Sequence, residues 1–258
     1  MKTAEEILFH PSSLGEIMTG VAKGWTVDKS VTCKRKLITI HRELKYGRYQ
    51  SHSNKYTEKG KKMEEDGITT YSMFRNTMFK KNEERLTNDY FNGEHDILHK
   101  KETIDIKCSW SIETFPHLSV DTIDKGYEYQ GRAYMDLTGA EKHTIAYCLV
   151  NAPANLIIRE QEKLFYNMNC PTLESKSYLR GLIDIEKNMI FDMKQFVSDN
   201  PNHDLYCKEW SFDIPLNERV VEFTIHRDRA LLDEIYTRIR DCRQWMDEKL
   251  FKINPLEA

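Results

Sequence analysis

A chain of 258 residues that is 40% hydrophobic and 11% aromatic has the material for one large folded domain. Its charge is high but mixed, 38 Lys and Arg against 41 Asp and Glu, for a net charge of −3. That balance excludes a disordered chain and a globally basic nucleic-acid binder, so any contact with nucleic acid must come from local cation clusters.

Such clusters occur at Lys34-Arg35-Lys36, at Lys55/Lys59/Lys61/Lys62, at Lys80-Lys81 and at Lys100-Lys101. Each taken singly reads as a solvated face. The six cysteines (Cys33, Cys108, Cys148, Cys170, Cys207, Cys242) are scattered, without a CxxC pair, and the start MKTAEEILFH lacks the form of a signal peptide. Together these lead to an expectation of reduced thiols in a soluble, cytoplasmic protein. The longest apolar stretch, residues 144–158, is interrupted by Asn151, Pro153 and Asn155 and cannot span a bilayer.

In chain order, Ser12 and Ser13 precede a short apolar-periodic run ending at Gly20, which predicts a capped helix. Leu37, Ile40 and Leu44 recur at helical spacing within residues 30–46, and YGRYQSHSNK follows as a loop. A second long helix is predicted over 56–74, with Tyr56, Gly60, Met63, Gly67, Tyr71 and Phe74 on one side. The runs DYFNGEHDILH and ETIDIKCSW read as strands. A helix over about 120–138 follows, closed by Gly139, and HTIAYCLV reads as a buried strand. Beyond Pro153 the pattern is mostly helical: one helix over 155–168, a long one over 174–198 and a last one over 229–251, with strand-like VVEFTI before the last. The expectation is one α/β domain, with a core over about 10–152 and a helical extension over about 153–258.

The chemistry concentrates in ETIDIK. Alternation on a strand points Asp105 and Lys107 one way and Ile104 and Ile106 into the core. A carboxylate and an ammonium about 7 Å apart on one face can hold a divalent cation and a water between them. If GEHDIL forms a hairpin with this strand, its turn falls near His99–Glu102 and Asp96 comes opposite Asp105. Two carboxylates so placed are costly without a cation between them. A third acidic ligand is Glu64, or its neighbour Glu65, on the helix that begins YTEKGKKMEEDGI. Such oxygen ligands favour Mg²⁺ or Mn²⁺. Lys107 would orient the attacking water or stabilise charge at phosphorus, and Gln130, sharing a helix face with Tyr134, would steady the water or a backbone phosphate. The bare GxxD…DxK pattern is weak. The order helix GxxxE, strand GxxD, strand DxK, helix QxxxY is much more specific.

The segments FHPSSLGEIMTG, NKYTEKGKKMEEDGI, NGEHDIL, TIDIKCS, YEYQGRAYMDLTG and DIPLNERVVEFTIHRD resemble phage recombination exonucleases of the PD-(D/E)xK superfamily, of the YqaJ-like viral recombinase and RecB-type nuclease kind. The resemblance implies a restriction-endonuclease-like core, a central mixed sheet flanked by helices. It places catalytic groups at Glu64, Asp96, Asp105, Lys107 and Gln130, metal ligands at Glu64, Asp96, Asp105 and Ile106, and DNA contacts at Ser13, His10 and Tyr134. The basic residue that relatives carry in the first motif is absent, with His10 nearest, and His95 stands where the superfamily has its Pro. The implied activity is Mg²⁺-dependent digestion of linear double-stranded DNA from its ends, 5′ to 3′. The implied partners are DNA ends, a single-strand annealing protein and further copies of the chain in a ring, with no membrane.

Other readings are weaker. His95 and His99 suggest zinc, but are expected to be exposed on the face opposite Asp96. The cysteine spacing does not fit an iron–sulfur cluster, and no GxxxxGK[ST] loop is present. Tyr127 and Tyr134 are expected to pack in the core, and the apolar stripe of the last helix within the chain. An internally cutting endonuclease and a non-catalytic DNA-binding protein remain as alternatives. All the acidic positions are retained, which disfavours the latter.

Overall fold

The structure is a computed structural model that describes residues 3–49, 54–118 and 121–252. Its elements run α1 (Leu14–Ile17), α2 (Val31–Tyr46), α3 (Lys55–Phe74), β1 (Leu86–Thr87), β2 (Asn92–Gly93), β3 (Ile97–His99), β4 (Glu102–Cys108), α4 (Lys125–Thr138), β5 (Lys142–Cys148), α5 (Ala154–Asn167), α6 (Lys176–Met189), α7 (Met193–Asp199), β6 (Val220–His226) and α8 (Arg229–Met246). Residues 50–53, the middle of the expected loop before α3, and residues 119–120, where the next helix was expected to begin, lie outside the described residues.

Four strands form one mixed sheet in the order β3-β4-β5-β6. The β3–β4 pair is the expected antiparallel hairpin, with Ile97 opposite Ile104 and His99 opposite Glu102. The parallel β4–β5 pair is joined through α4, and β6 runs antiparallel to β5. A parallel pair cannot be joined by a tight turn, so the α4 crossover is what the topology requires. β6 comes from the part of the chain read as a helical extension, yet it is a strand of the same sheet.

The two faces of β4 meet different helices. Ile104 and Ile106 pack with Ile68 and Tyr71 of α3. Gly67 lets that helix lie close, since a Cβ there would come within 2.7 Å of Ile106 and 2.9 Å of Cys108. On the opposite face α4 approaches the sheet through Gly131, where a Cβ would fall 2.3 Å from the His143 ring. Both helices are thereby held where their side chains reach the end of β4. A second cluster joins Phe9, Leu14, Ile17, Cys33 and Leu37 to Leu232, Ile235, Ile239, Cys242 and Met246. The stripe of α8 is thus buried within the chain, and burying each such side chain stabilises by about 1.5–3 kcal/mol.

Several expectations are corrected. The helix expected from 120 starts at Lys125, where Asp124 accepts a hydrogen bond from the Gly126 N–H. The single helix expected over 174–198 is two, because Asn151 captures the backbone between them: its Oδ1 accepts from the Phe191 and Asp192 N–H groups, and its Nδ2 donates to the Asp192 carbonyl. Asp192 then caps α7 through the Gln195 N–H. DYFNGEHDILH is no continuous strand: two residues pair in β2, three in β3, and Asn88 turns the chain between β1 and β2 by accepting from the Tyr90 and Phe91 N–H groups. Ser13 does not cap α1, since its hydroxyl donates to the His10 carbonyl. Lys59, grouped with a solvated basic face, is fully buried. All six cysteines are free thiols, and among the described residues no helix is long and apolar enough to cross a membrane.

Candidate active site

The hairpin register places Asp96, immediately before β3, across from Asp105. Asp96 Oδ2 accepts a 2.7 Å hydrogen bond from the Ile106 N–H, which fixes the carboxylate beside β4. Asp105 is 3% exposed; its Oδ1 accepts from Gln130 Nε2 at 3.2 Å, and its Oδ2 lies 2.5 Å from Lys107 Nζ. That approach is close but poorly directed, and Oδ2 is left without a directed hydrogen bond.

Burial, then the neighbouring Asp105, pushes the Asp96 carboxyl well above the usual range. Burial alone would lower Lys107, but Asp105 and Asp96 outweigh it and hold the ammonium protonated. Glu64 of α3 reaches the same groove, while Glu65 is exposed. Glu64 pairs with Lys81 at 3.1 Å. Gln130 is 7% exposed and also approaches the Tyr134 hydroxyl at 3.4 Å, so it sits behind Asp105 as an orienting group.

Glu64, Asp96, Ile106 and Lys107 line one cavity of about 450 Å³, and Asp105 stands buried beside it. The carboxylates are not closed into a cage: among the described residues no three acidic, His or Cys groups stand ready around one point. Each instead holds its own partner, Glu64 with Lys81, Asp96 with the Ile106 N–H and Asp105 with Lys107 and Gln130. The donor set still suits a hard divalent cation. It consists of oxygens, it includes a buried carboxylate oxygen lacking a directed partner, and two of its acids repel each other. Ile106 can contribute only its main-chain carbonyl.

The residues expected to contact DNA do not line this cavity. Ser13 is buried, and with His10 it lines a second cavity of about 460 Å³ with Lys36, Tyr49 and Arg85. Tyr134 is in the interior, 6% exposed, between the rings of His95 and His143. Tyr127, expected in the core, lines the carboxylate groove instead, with its ring centroid 4.8 Å from Lys107 Nζ. His95 is not exposed: it lies outside β3, so strand alternation does not reach it, and burial beside Tyr134 pushes its pKa down. His99 is half-buried with its ring edge-on to Phe79.

Sequence reasoning sets Tyr56 on one side of its helix but does not place Tyr56, Trp110 or Tyr147 at the site; all three line the groove. Tyr147 is paired with Lys107 in the parallel register, which no local pattern shows. Trp110 follows the DxK strand closely, and that proximity was an available signal.

The fold is shared with solved exonuclease structures. A phage-related exonuclease from Haemophilus somnus 129PT is 24% identical, with a TM-score of 0.69 over 96% of this chain and 97% of that one. An alkaline exonuclease (LHK-Exo) from Laribacter hongkongensis is 14% identical, with a TM-score of 0.56 over 97% of each chain. The structure of LHK-Exo in complex with dAMP gives 14% identity and a TM-score of 0.54, over 97% of this chain and 96% of that one. No family model and no curated protein matches the chain.

Proposed function

We propose that this protein is a metal-dependent deoxyribonuclease that degrades linear double-stranded DNA from its ends. The observation that carries the reading is the meeting of Asp96 and Asp105 across the hairpin, with Lys107 beside them, at a groove that Glu64 also lines. Near full-length likeness in fold to a phage-related exonuclease and an alkaline exonuclease supports it.

Asp96, Asp105, Glu64 and the Ile106 carbonyl would hold the cation. A hard divalent ion bound there would polarise the scissile phosphodiester and bring the pKa of a water towards neutrality. The chain's own groups do the rest. The Lys107 ammonium, kept charged by its acidic neighbours, sets positive charge where negative charge develops at phosphorus. Gln130 fixes the Asp105 carboxylate, and the Ile106 N–H fixes that of Asp96, so both acids are oriented before substrate arrives. The resemblance extends this reading to Mg²⁺, with Mn²⁺ as substitute, and to 5′-to-3′ polarity. It also extends it to an annealing protein as partner, a ring of copies around DNA, and action in the cytoplasm of a phage-infected cell.

The test is incubation of end-labelled linear duplex and closed circular DNA with Mg²⁺ or EDTA, comparing 5′-phosphate and 5′-hydroxyl ends. Loss of the linear form only with Mg²⁺, with the circle intact, is expected. A nicked circle makes the enzyme an endonuclease, and no metal-dependent hydrolysis of either form ends the nuclease reading.

A further inference from the structure

The cavity of about 450 Å³ extends well beyond the carboxylates. Along α3 it is lined by Tyr56, Gly60 and Glu64, each four residues from the next and therefore on one helix face. Tyr56 stands about 12 Å along the helix axis from Glu64, a dinucleotide's reach. Between them Gly60 leaves bare helix backbone, and a Cβ there would meet open space. Lys61, exposed and without an ion-pair partner among the described residues, lies beside this floor.

Tyr56 is 53% exposed. Trp110 backs its ring edge-on, with centroids 5.7 Å apart and planes at 70°. Lys55 Nζ sits 5.5 Å from the Tyr56 ring and 4.6 Å from that of Trp110, and pairs with Glu160 of α5 at 3.2 Å. Packing against Leu156 and Ile157 accounts for Trp110. It does not account for the uncovered Tyr56.

The start of α3 is also unusually well anchored. Asn54 caps it, Glu58 pairs with Arg159 at 2.6 Å, and Lys62 donates to Asn155 at 3.3 Å. The buried Lys59 donates to the carbonyls of Ser109 at 2.6 Å and Trp110 at 3.1 Å, which ties α3 to the segment bearing Trp110. A large aromatic face held rigidly in water at the mouth of a polar groove is prepaid for stacking.

We propose that Tyr56, backed by Trp110, is the platform on which one unpaired nucleobase of the hydrolysed strand stacks, with Lys61 on the adjoining phosphate. The proposal rests on the nuclease reading for its reaction, and it assigns to this chain a specificity element separate from the acidic cluster. Stacking tolerates any base, since every base offers a π-face. The site would therefore select for an unpaired terminus and not for sequence.

Two measurements test it. With Ca²⁺ as the probe ion, a duplex carrying 2-aminopurine at or next to the 5′ end should show changed fluorescence on binding wild type and Tyr56→Phe, and no change with Tyr56→Ala. In Mg²⁺, Tyr56→Ala should raise KM about 10- to 100-fold with kcat little altered, while Tyr56→Phe stays near wild type. An abasic sugar in place of the stacked nucleotide should raise the wild-type KM as much and leave that of Tyr56→Ala unchanged. Gly60→Leu, whose side chain enters open space, should fold normally and lose affinity for the strand. Additive effects of the abasic sugar and Tyr56→Ala, or an unaltered KM in Tyr56→Ala, would overturn the platform while hydrolysis by wild type leaves the nuclease reading standing. A fluorescence response without hydrolysis would do the reverse.

Discussion

At the start of β4, Glu102 lies buried with a full set of partners: Lys142 at 2.8 Å and the Thr144 hydroxyl at 2.6 Å. Nearby on that face, Glu222 accepts from Tyr71 and from Arg75. Towards the other end of the same strand, Asp105 has an oxygen without a directed partner, and Asp96 faces it as a second acid. Burial acts on both ends, but at Glu102 the donated hydrogen bonds outweigh it and the carboxyl pKa falls, whereas at Asp96 burial and Asp105 act together and the pKa rises. The first arrangement holds β4 to β5. The second costs folding free energy, and such a cost persists where substrate or cation relieves it.

The largest effect separating the two ends should be on hydrolysis. Asp105→Asn and Lys107→Ala are each expected to lower kcat by at least about 10³-fold with far-UV circular dichroism unchanged. Comparable loss of activity in Glu102→Gln without loss of structure would erase the distinction. Next comes stability. Glu102→Gln removes the charge that Lys142 and Thr144 are arranged around and should cost about 2 kcal/mol, or roughly 6 °C in Tm. The sign with pH follows from the lowered pKa of Glu102: its stabilisation is full above the unfolded value and is lost as pH falls through the folded one. The deficit of the variant should therefore shrink in acid. Thermal melts at pH 7 and pH 4 check it, and a deficit that is constant or grows in acid would show that Glu102 does not hold this role.

The sequence makes the acidic end legible and the supporting end nearly invisible. Asp105 and Lys107 share a face by strand alternation, and the turn near residues 99–102 sets Asp96 opposite Asp105, both from local pattern. The span of α3 is legible to within a residue, whereas the close approach at Gly67 shows only once β4 is packed against it. What escaped depends on long-range contact. Glu102 finds Thr144 only through the parallel register. Lys59 looks like its solvated neighbours until the carbonyls of Ser109 and Trp110 are brought to it, and burial pushes its pKa down to about 7. Asn151 splits a helical pattern from forty residues away in the chain. Of the DNA contacts placed by resemblance, Ser13 and His10 line a separate cavity, and Tyr134 is buried behind Gln130 between histidine rings.

The smallest effect bears most directly on why the two ends differ. If the Asp96–Asp105 pair is a cost carried for function, neutralising one acid should stabilise the fold. Asp96→Asn keeps an oxygen that can accept the Ile106 N–H, so the hairpin contact survives the substitution. The Asp96 pKa is raised in the folded state, so its contribution favours folding below the unfolded value and is lost as pH rises through the raised one. In EDTA at pH 8, wild type buries an ionised Asp96 and the variant does not, so the variant should melt a few degrees higher, about 1 kcal/mol. At pH 5 the folded wild-type carboxyl carries its proton and the advantage should shrink, to vanish only below the unfolded value. Added Mg²⁺ should reverse it at pH 8, because the ion stabilises the wild type by binding its folded state and has lost a ligand in the variant. A variant less stable than wild type at pH 8 in EDTA would mean that Asp96 belongs with Glu102 as a supporting group, and the contrast between the two ends of β4 would be gone.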